Sequence, residues 1–164
     1  MLKLIHAADF HLDAPFAALP PERAAERREE QRQLLTRLAE LAEAERAGLV
    51  LLSGDLLDSD QARYETVQAL ARALGEMKVP VFIAPGNHDF WSARSPWSAG
   101  AWPENVHIFS RSSLEAVELP GLGCTVYGAA FTAPACDQSP LKGFAAPEDG
   151  RLHLMVLHGD VDGR

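Results

Sequence analysis

The chain has 164 residues and a mass of 17.8 kDa, room for one domain with a sizeable core but not comfortably for two. Its 47% hydrophobic and 23% charged residues are ordinary for a globular protein and exclude a disordered chain, a collagen-like chain and a coiled coil. The formal net charge of −8, from 23 acidic and 15 basic residues, argues against nucleic-acid binding by bulk electrostatics, but acidic residues gathered around divalent cations can invert that sign locally.

In chain order, Leu2 to Ala8 reads as a buried strand that ends at Asp9. His6 and Asp9 interrupt this apolar stretch too early for a signal-peptide core. Pro20 and Pro21 open a helix predicted to reach about Ala47, with Leu34, Leu38, Leu41 and Ala42 on one face and Gly48 as its stop. The Arg/Glu-rich run from Glu22 to Arg32 is read as a solvated face laced with i,i+4 ion pairs. Leu49 to Leu52 is a second strand, Gln61 to Met77 a second helix burying Val67, Leu70, Ala71 and Leu74, and Val79 to Ala84 a third strand. Strand and helix in alternation imply right-handed crossovers and a largely parallel sheet. Phe90 to Pro103 reads as a loop, followed by strand candidates at Val106–Phe109, Leu114–Leu119, Thr125–Phe131 and Leu152–Leu157. No apolar run approaches the roughly 18 to 20 residues of a membrane span. Two cysteines, Cys124 and Cys136, make no disulfide framework, which places the protein in a reducing cytoplasm.

The chemistry-bearing residues follow the strands. Asp9 and His11 follow the first, Asp55 and Asp58 the second, Asn87, His88 and Asp89 the third, and His158 the last. In an open α/β sheet those C-terminal ends share one edge, where ligands bind. Carboxylate, imidazole and amide oxygen together suit Mn, Fe or Zn, and the absence of thiolate speaks against a structural zinc site. A carboxylate such as Asp55 can bridge two metals about 3.5 to 4 Å apart, an arrangement that neutralises phosphate oxygens and generates a nucleophile for phosphate-ester hydrolysis. Individually Asp9-x-His11, Gly54-Asp55-x-x-Asp58 and His158-Gly159-Asp160 are modest signals; Gly86-Asn87-His88-Asp89 is stronger, and the shared placement makes the set. His6 reads as a hydrogen-bonded core or supporting histidine, and His107 and His153 as solvated or structural. Trp91, Trp97 and Trp102 are read as packing for a long loop or as a partner contact, with base stacking as the alternative.

These four blocks resemble the first four motifs of the calcineurin-like metallophosphoesterases, over about residues 2 to 160. The opening Ile5-His6-Ala7-Ala8-Asp9-Phe10-His11-Leu12-Asp13-Ala14-Pro15-Phe16 and Ser53-Gly54-Asp55-Leu56-Leu57-Asp58 are similar, more specifically, to bacterial SbcD-type DNA-repair exonucleases. The resemblance implies an αββα sandwich forming one domain over residues 1–164, incomplete at its C-terminus. It also implies two divalent ions, manganese before iron or zinc. Asp9 and His11 would bind the first, Asp55 would bridge, and Asn87 and His158 would bind the second. His88 would protonate the leaving oxygen, oriented by Asp58, and Asp89 reads as the cap of a following helix. The family's fifth block, Gly-His-x-His, is absent from these 164 residues, so the resemblance implies the N-terminal part of a longer protein, with weakened metal binding and slow or no turnover in this part. The leading function is a two-metal phosphodiesterase acting on DNA, an exonuclease of the repair type. The alternatives are hydrolysis of a small-molecule or phosphoprotein ester, which the negative charge favours, and a non-catalytic scaffold, which the retention of His88 with Asp58 disfavours. A coiled-coil ATPase subunit is the implied partner, no membrane is involved, and the oligomeric state, a homodimer included, stays open.

Overall fold

Four short apolar segments form one parallel sheet. The computed structural model describes residues 1–160. In it β1 (Leu4–Ala7), β2 (Leu49–Leu52), β3 (Val81–Ile83) and β4 (Val106–Ile108) lie side by side in that order, every pair parallel. Parallel neighbours need long crossovers, which α1 (Pro21–Ala44) and α2 (Tyr64–Glu76) supply for the first two connections. Both helices cover one face of the sheet: Leu35, Leu38 and Ala42 of α1 and Leu70, Ala73 and Leu74 of α2 pack with Val50, Leu52, Val81 and Ile83. β2 is buried along its whole length, which explains its unbroken apolar sequence.

The helices depart from expectation at their faces and ends. Leu34 and Leu41, expected inside, are 41% and 48% exposed, and the buried stripe of α1 runs instead through Leu35, Leu38 and Ala42. The helix also stops before Gly48. Arg46 takes a left-handed φ of 52°, its N–H donates to the Glu43 carbonyl and the Ala47 N–H donates to the Ala42 carbonyl, so a Schellman turn closes the helix without a glycine. The charged face of α1 is solvated as read, although its ion pairs Arg23–Glu26, Arg27–Glu30 and Arg32–Glu29 have i,i+3 spacing. Helix α2 begins later than Gln61 because its cap comes from elsewhere in the chain. The Asp13 carboxylate accepts the Arg63 N–H at 2.9 Å and the Thr66 hydroxyl at 2.8 Å.

The second sheet packs on the face of the first that the helices leave open. β5 (Glu115–Leu119) and β6 (Cys124–Gly128) form an antiparallel hairpin through the turn Pro120–Leu122 and Gly123, whose φ of 65° suits glycine. β7 (Leu152–Val156) then pairs parallel to β6. Val126 and Val156 meet Leu49, Leu51, Phe82, Ala84 and Phe109 in a core between the sheets. Helices, sheet and sheet are three layers of the αββα plan; among the described residues no helix covers the outer face of the second sheet, where Phe144, from the long β6–β7 connection, packs edge-on against Tyr127 with ring centroids 4.9 Å apart. His153 on that face bonds Asp149 at 2.8 Å, and exposed His107 lies against Phe82 and Phe109. Both are structural, as read.

The tryptophan-rich segment is packing. It contains a single helical turn, α3 (Pro96–Ala99), that buries Trp97 to 4% exposure, stacks it on Trp102 and points its indole N–H at the Asp89 carbonyl. Trp91 and Trp102 pack partly buried against the core, and no base has access to Trp97. Among the described residues no helix is long and apolar enough to cross a membrane.

Candidate metal centre

Three loops leave the C-terminal ends of β1, β2 and β3, and a fourth leaves β7. The first two are zipped together by backbone bonds: Asp9 N–H to the Gly54 carbonyl, His11 N–H to Asp55, Leu12 N–H to Leu56 and Asp58 N–H back to Leu12. To run this close, Asp9, His11, Asp13 and Asp55 adopt left-handed φ values of 58°, 44°, 70° and 51°. Aspartate and histidine tolerate that region better than most residues, but each such position costs about 1 to 3 kcal/mol, and such strain concentrates at functional sites.

Asp55 is the centre of the arrangement, at 4% exposure. Its Oδ1 accepts the His88 backbone N–H at 3.0 Å. Its Oδ2 lies 3.4 Å from His158 Nε2 and 3.8 Å from His11 Nε2. Each of those rings has an acceptor at its other nitrogen. His158 Nδ1 is 3.0 Å from the Ser53 carbonyl, and His11 Nδ1 is 3.2 Å from Asp58 Oδ1. A carbonyl or carboxylate at Nδ1 places the ring proton there, so in the neutral rings both Nε2 lone pairs face the Asp55 carboxylate. Asn87 Oδ1 adds another electron-rich atom 3.1 Å from His158 Nε2. Acceptors facing acceptors need positive charge between them, and carboxylate, imidazole and amide oxygen are the donors that hold a borderline divalent cation.

The donor atoms fall into two groups that share Asp55. Asp9, Asp55 and His158 form one and His11, Asp55 and His88 the other, with the atoms of each group within 4.8 Å of one another. All seven expected site residues therefore converge, with two differences from expectation. His158 arrives from the second sheet and not from the edge of the first. The Asp58 carboxylate serves His11, and it is the Asp58 carbonyl that faces His88 Nδ1, at 3.3 Å. His88 is exposed, with its ring edge-on to His11 at 4.9 Å.

Asp89 does what no local motif announces. It is fully buried, and its carboxylate accepts the N–H groups of Gly86 at 2.7 Å, Asp55 at 3.2 Å, Leu56 at 2.9 Å and Leu57 at 3.1 Å. It caps no helix; it joins the loop carrying Asp55 to the loop carrying Asn87 and His88. Burial pushes its carboxyl above the ordinary carboxylate range, and the neighbouring Asp55 charge adds to this, while the N–H bonds from Leu57, Gly86 and Leu56 pull the other way. Two glycines are required by space. A Cβ on Gly86 would lie 2.1 Å from Asp55 Oδ1, and one on Gly54, already at φ 75°, would lie 2.6 Å from His158 Cβ. His6 supports the site at one remove, with its Nε2 2.8 Å from the hydroxyl of Ser53, whose carbonyl receives His158.

The calcineurin-like phosphoesterase family model matches residues 2–143, a span that ends short of His158. The chain is 31% identical over 171 residues to an uncharacterized metallophosphoesterase, YhaO, of Bacillus subtilis, covering 99% of this chain and 41% of that protein. It is 28% identical over 124 residues to the SbcD component of the nuclease SbcCD of Staphylococcus epidermidis, covering 73% of this chain and 31% of that protein. The chain thus spans less than half the length of either curated relative.

Proposed function

The chain belongs to the calcineurin-like phosphoesterase family, and from that premise we propose that it hydrolyses phosphodiester bonds with two divalent cations, with DNA as its substrate. The observation that carries the reading is the pair of donor groups meeting at one buried carboxylate, Asp55. Asp55 is the proposed shared ligand, with Asp9, His11, Asn87 and His158 as the proposed ligands around it. When bound, such a pair of cations neutralises phosphate oxygens and lowers the pKa of a nucleophilic water. The chain's own residues do the rest. Asp55 holds its carboxylate in place through the His88 N–H. The Ser53 carbonyl and Asp58 carboxylate fix the tautomers of His158 and His11. His88, with Nδ1 set on the Asp58 carbonyl, keeps Nε2 available to carry a proton to the leaving oxygen.

DNA as substrate is supported by the similarity to a nuclease component and by the SbcD-like opening from Ile5 to Phe16. The test is Mn²⁺-dependent hydrolysis of bis(p-nitrophenyl) phosphate, of the corresponding monoester and of an end-labelled DNA duplex, with His88→Ala alongside. The expected result is turnover of diester and DNA, lowered about 10²- to 10⁴-fold in the variant, the usual range for a lost general acid. Preference for the monoester, or diester turnover with no cleavage of DNA, would reject the nuclease reading in favour of the small ester that the net charge of −8 suits.

A further inference from the structure

The loop bearing Asp9 and His11 is held on one side by backbone bonds to the Asp55 loop; on its other side it meets a single turn of α1. There the Gln31 side-chain amide sits behind the loop, and its Nε2 donates to the carbonyls of Phe10 at 3.2 Å and His11 at 3.1 Å. Both partners are acceptors only, so the amide orientation is forced. The other end of the amide is unusual: Gln31 Oε1 is buried and is the one buried side-chain polar atom among the described residues that has no hydrogen-bond partner. The large majority of buried side-chain polar atoms have a partner. Gln31 leaves its acceptor orphaned while its donor spans the two carbonyls next to the left-handed Asp9 and His11.

We infer that Gln31 is a positioning residue of the metal centre: its amide sets the path of the Phe10–His11 backbone and thereby the reach of the His11 imidazole toward Asp55. The inference rests on the two-cation reading above. Gln31 lies outside the four motif loops, on the largely exposed Arg/Glu-rich stretch of α1. The neighbouring Arg32 bonds Glu29 and lies 3.8 Å from Asp13, two residues beyond His11.

The orphaned acceptor makes the test discriminating. Gln31→Met keeps the length and apolar bulk, removes the donor, and also removes the unsatisfied oxygen. In metal-free protein the loss of two neutral hydrogen bonds is offset by the loss of that buried acceptor, so the melting temperature in EDTA should stay close to that of the parent. Mn²⁺ affinity by calorimetry should fall about 10- to 100-fold, the usual effect of removing a group that orients a metal ligand. The visible spectrum of the Co²⁺-loaded variant should change at saturation, because the His11 ligand is displaced. Gln31→Glu sets a carboxylate against the same two carbonyls and should weaken binding further. Unchanged affinity and an unchanged Co²⁺ spectrum in Gln31→Met would overturn the inference while leaving the two-cation reading intact. Absence of Mn²⁺ binding by the parent chain would overturn both. A large loss of metal-free stability in Gln31→Met with affinity unchanged would make the residue structural only.

Discussion

Gly86→Ala is the sharpest probe of the site because the added atom has one well-defined place to go. Gly86 does not have a left-handed φ, so the substitution changes space and not backbone preference. Its Cβ would lie 2.1 Å from Asp55 Oδ1 and 2.6 Å from the Asp55 backbone nitrogen, where ordinary contact begins at 3.4 Å. Relief requires the carboxylate to retreat by about 1.3 Å, the difference between 3.4 and 2.1 Å. Neither contact can yield cheaply, since Oδ1 is bonded to the His88 N–H and the Asp55 N–H is bonded to buried Asp89. Metal–ligand distances tolerate only about 0.2 Å, so a shift several times larger removes the ligand that both donor groups share. Overpacking of this kind costs about 1 to 3 kcal/mol, and a chain of this size loses roughly 2 to 4 °C per kcal/mol. Differential scanning fluorimetry in EDTA should therefore show a fall of about 2 to 12 °C. Titration calorimetry with Mn²⁺ should show affinity weakened by at least about 100-fold. Gly121→Ala, whose Cβ would meet nothing within 4 Å, is the matched control and should change neither quantity. Parent-like Mn²⁺ affinity in Gly86→Ala would refute the placement of Asp55 at the centre of the site.

Asp89→Asn keeps the size of the side chain but turns an NH₂ group toward backbone N–H donors that the carboxylate accepts at 2.7 to 3.2 Å. Leaving such buried donors unpaired should lower stability by about 2 to 3 kcal/mol and weaken Mn²⁺ binding with it; a variant with both unchanged would show that the two loops are held some other way. The cysteines give an independent check on the sheet packing. Cys124 is buried on β6, with burial pushing its thiol up, whereas Cys136 is exposed. Ellman's reagent should thus titrate one thiol quickly in native protein and a second only after unfolding, because the thiolate is the reactive species. Two fast equivalents would remove β6 from the core between the sheets.

Where the sequence could be read, local signals and tertiary demand agreed. Leu49–Leu52 is a short apolar run bounded by glycine and by Ser53-Gly54, and as a central parallel strand it needs nothing more. The polar blocks after β1, β2 and β3 were legible because the ends of parallel strands fall on one edge. Elsewhere the deciding partner lies far along the chain. Asp13 caps α2 from about 50 residues away, so Arg63 carries no local cap signal and the predicted start slides to Gln61. Asp89 sits where an N-cap would sit, and only the return of the 55–57 backbone turns it into a tie between loops. The stop of α1 at Arg46 is invisible because a non-glycine residue occupies the left-handed position. Leu34 and Leu41 satisfy helical periodicity as well as Leu35 does, and only the sheet beneath decides which stripe is buried.

His158 carries the deepest of these dependencies. Nothing in Leu152–Val156 states which sheet it joins, yet the donor group of Asp9, Asp55 and His158 exists only because β7 lies parallel to β6 and directs His158 at Asp55. The separation of those two residues is therefore set by the core between the sheets, where Val156 and Val126 meet Leu51, Phe82 and Ala84. Two absent Cβ atoms allow the approach: at Gly54, where one would collide with His158, and at Gly128, where one would lie 2.1 Å from the ring of Phe109. Interiors pack too densely to absorb such intrusions. The residues that fix the reach of His158 are accordingly apolar or glycine and carry no chemistry of their own, and all but Gly54 lie outside every motif by which the site is recognised. The approach of His158 to Asp55 is thus a property of the packing of two sheets, with the motifs marking only the atoms that this packing brings together.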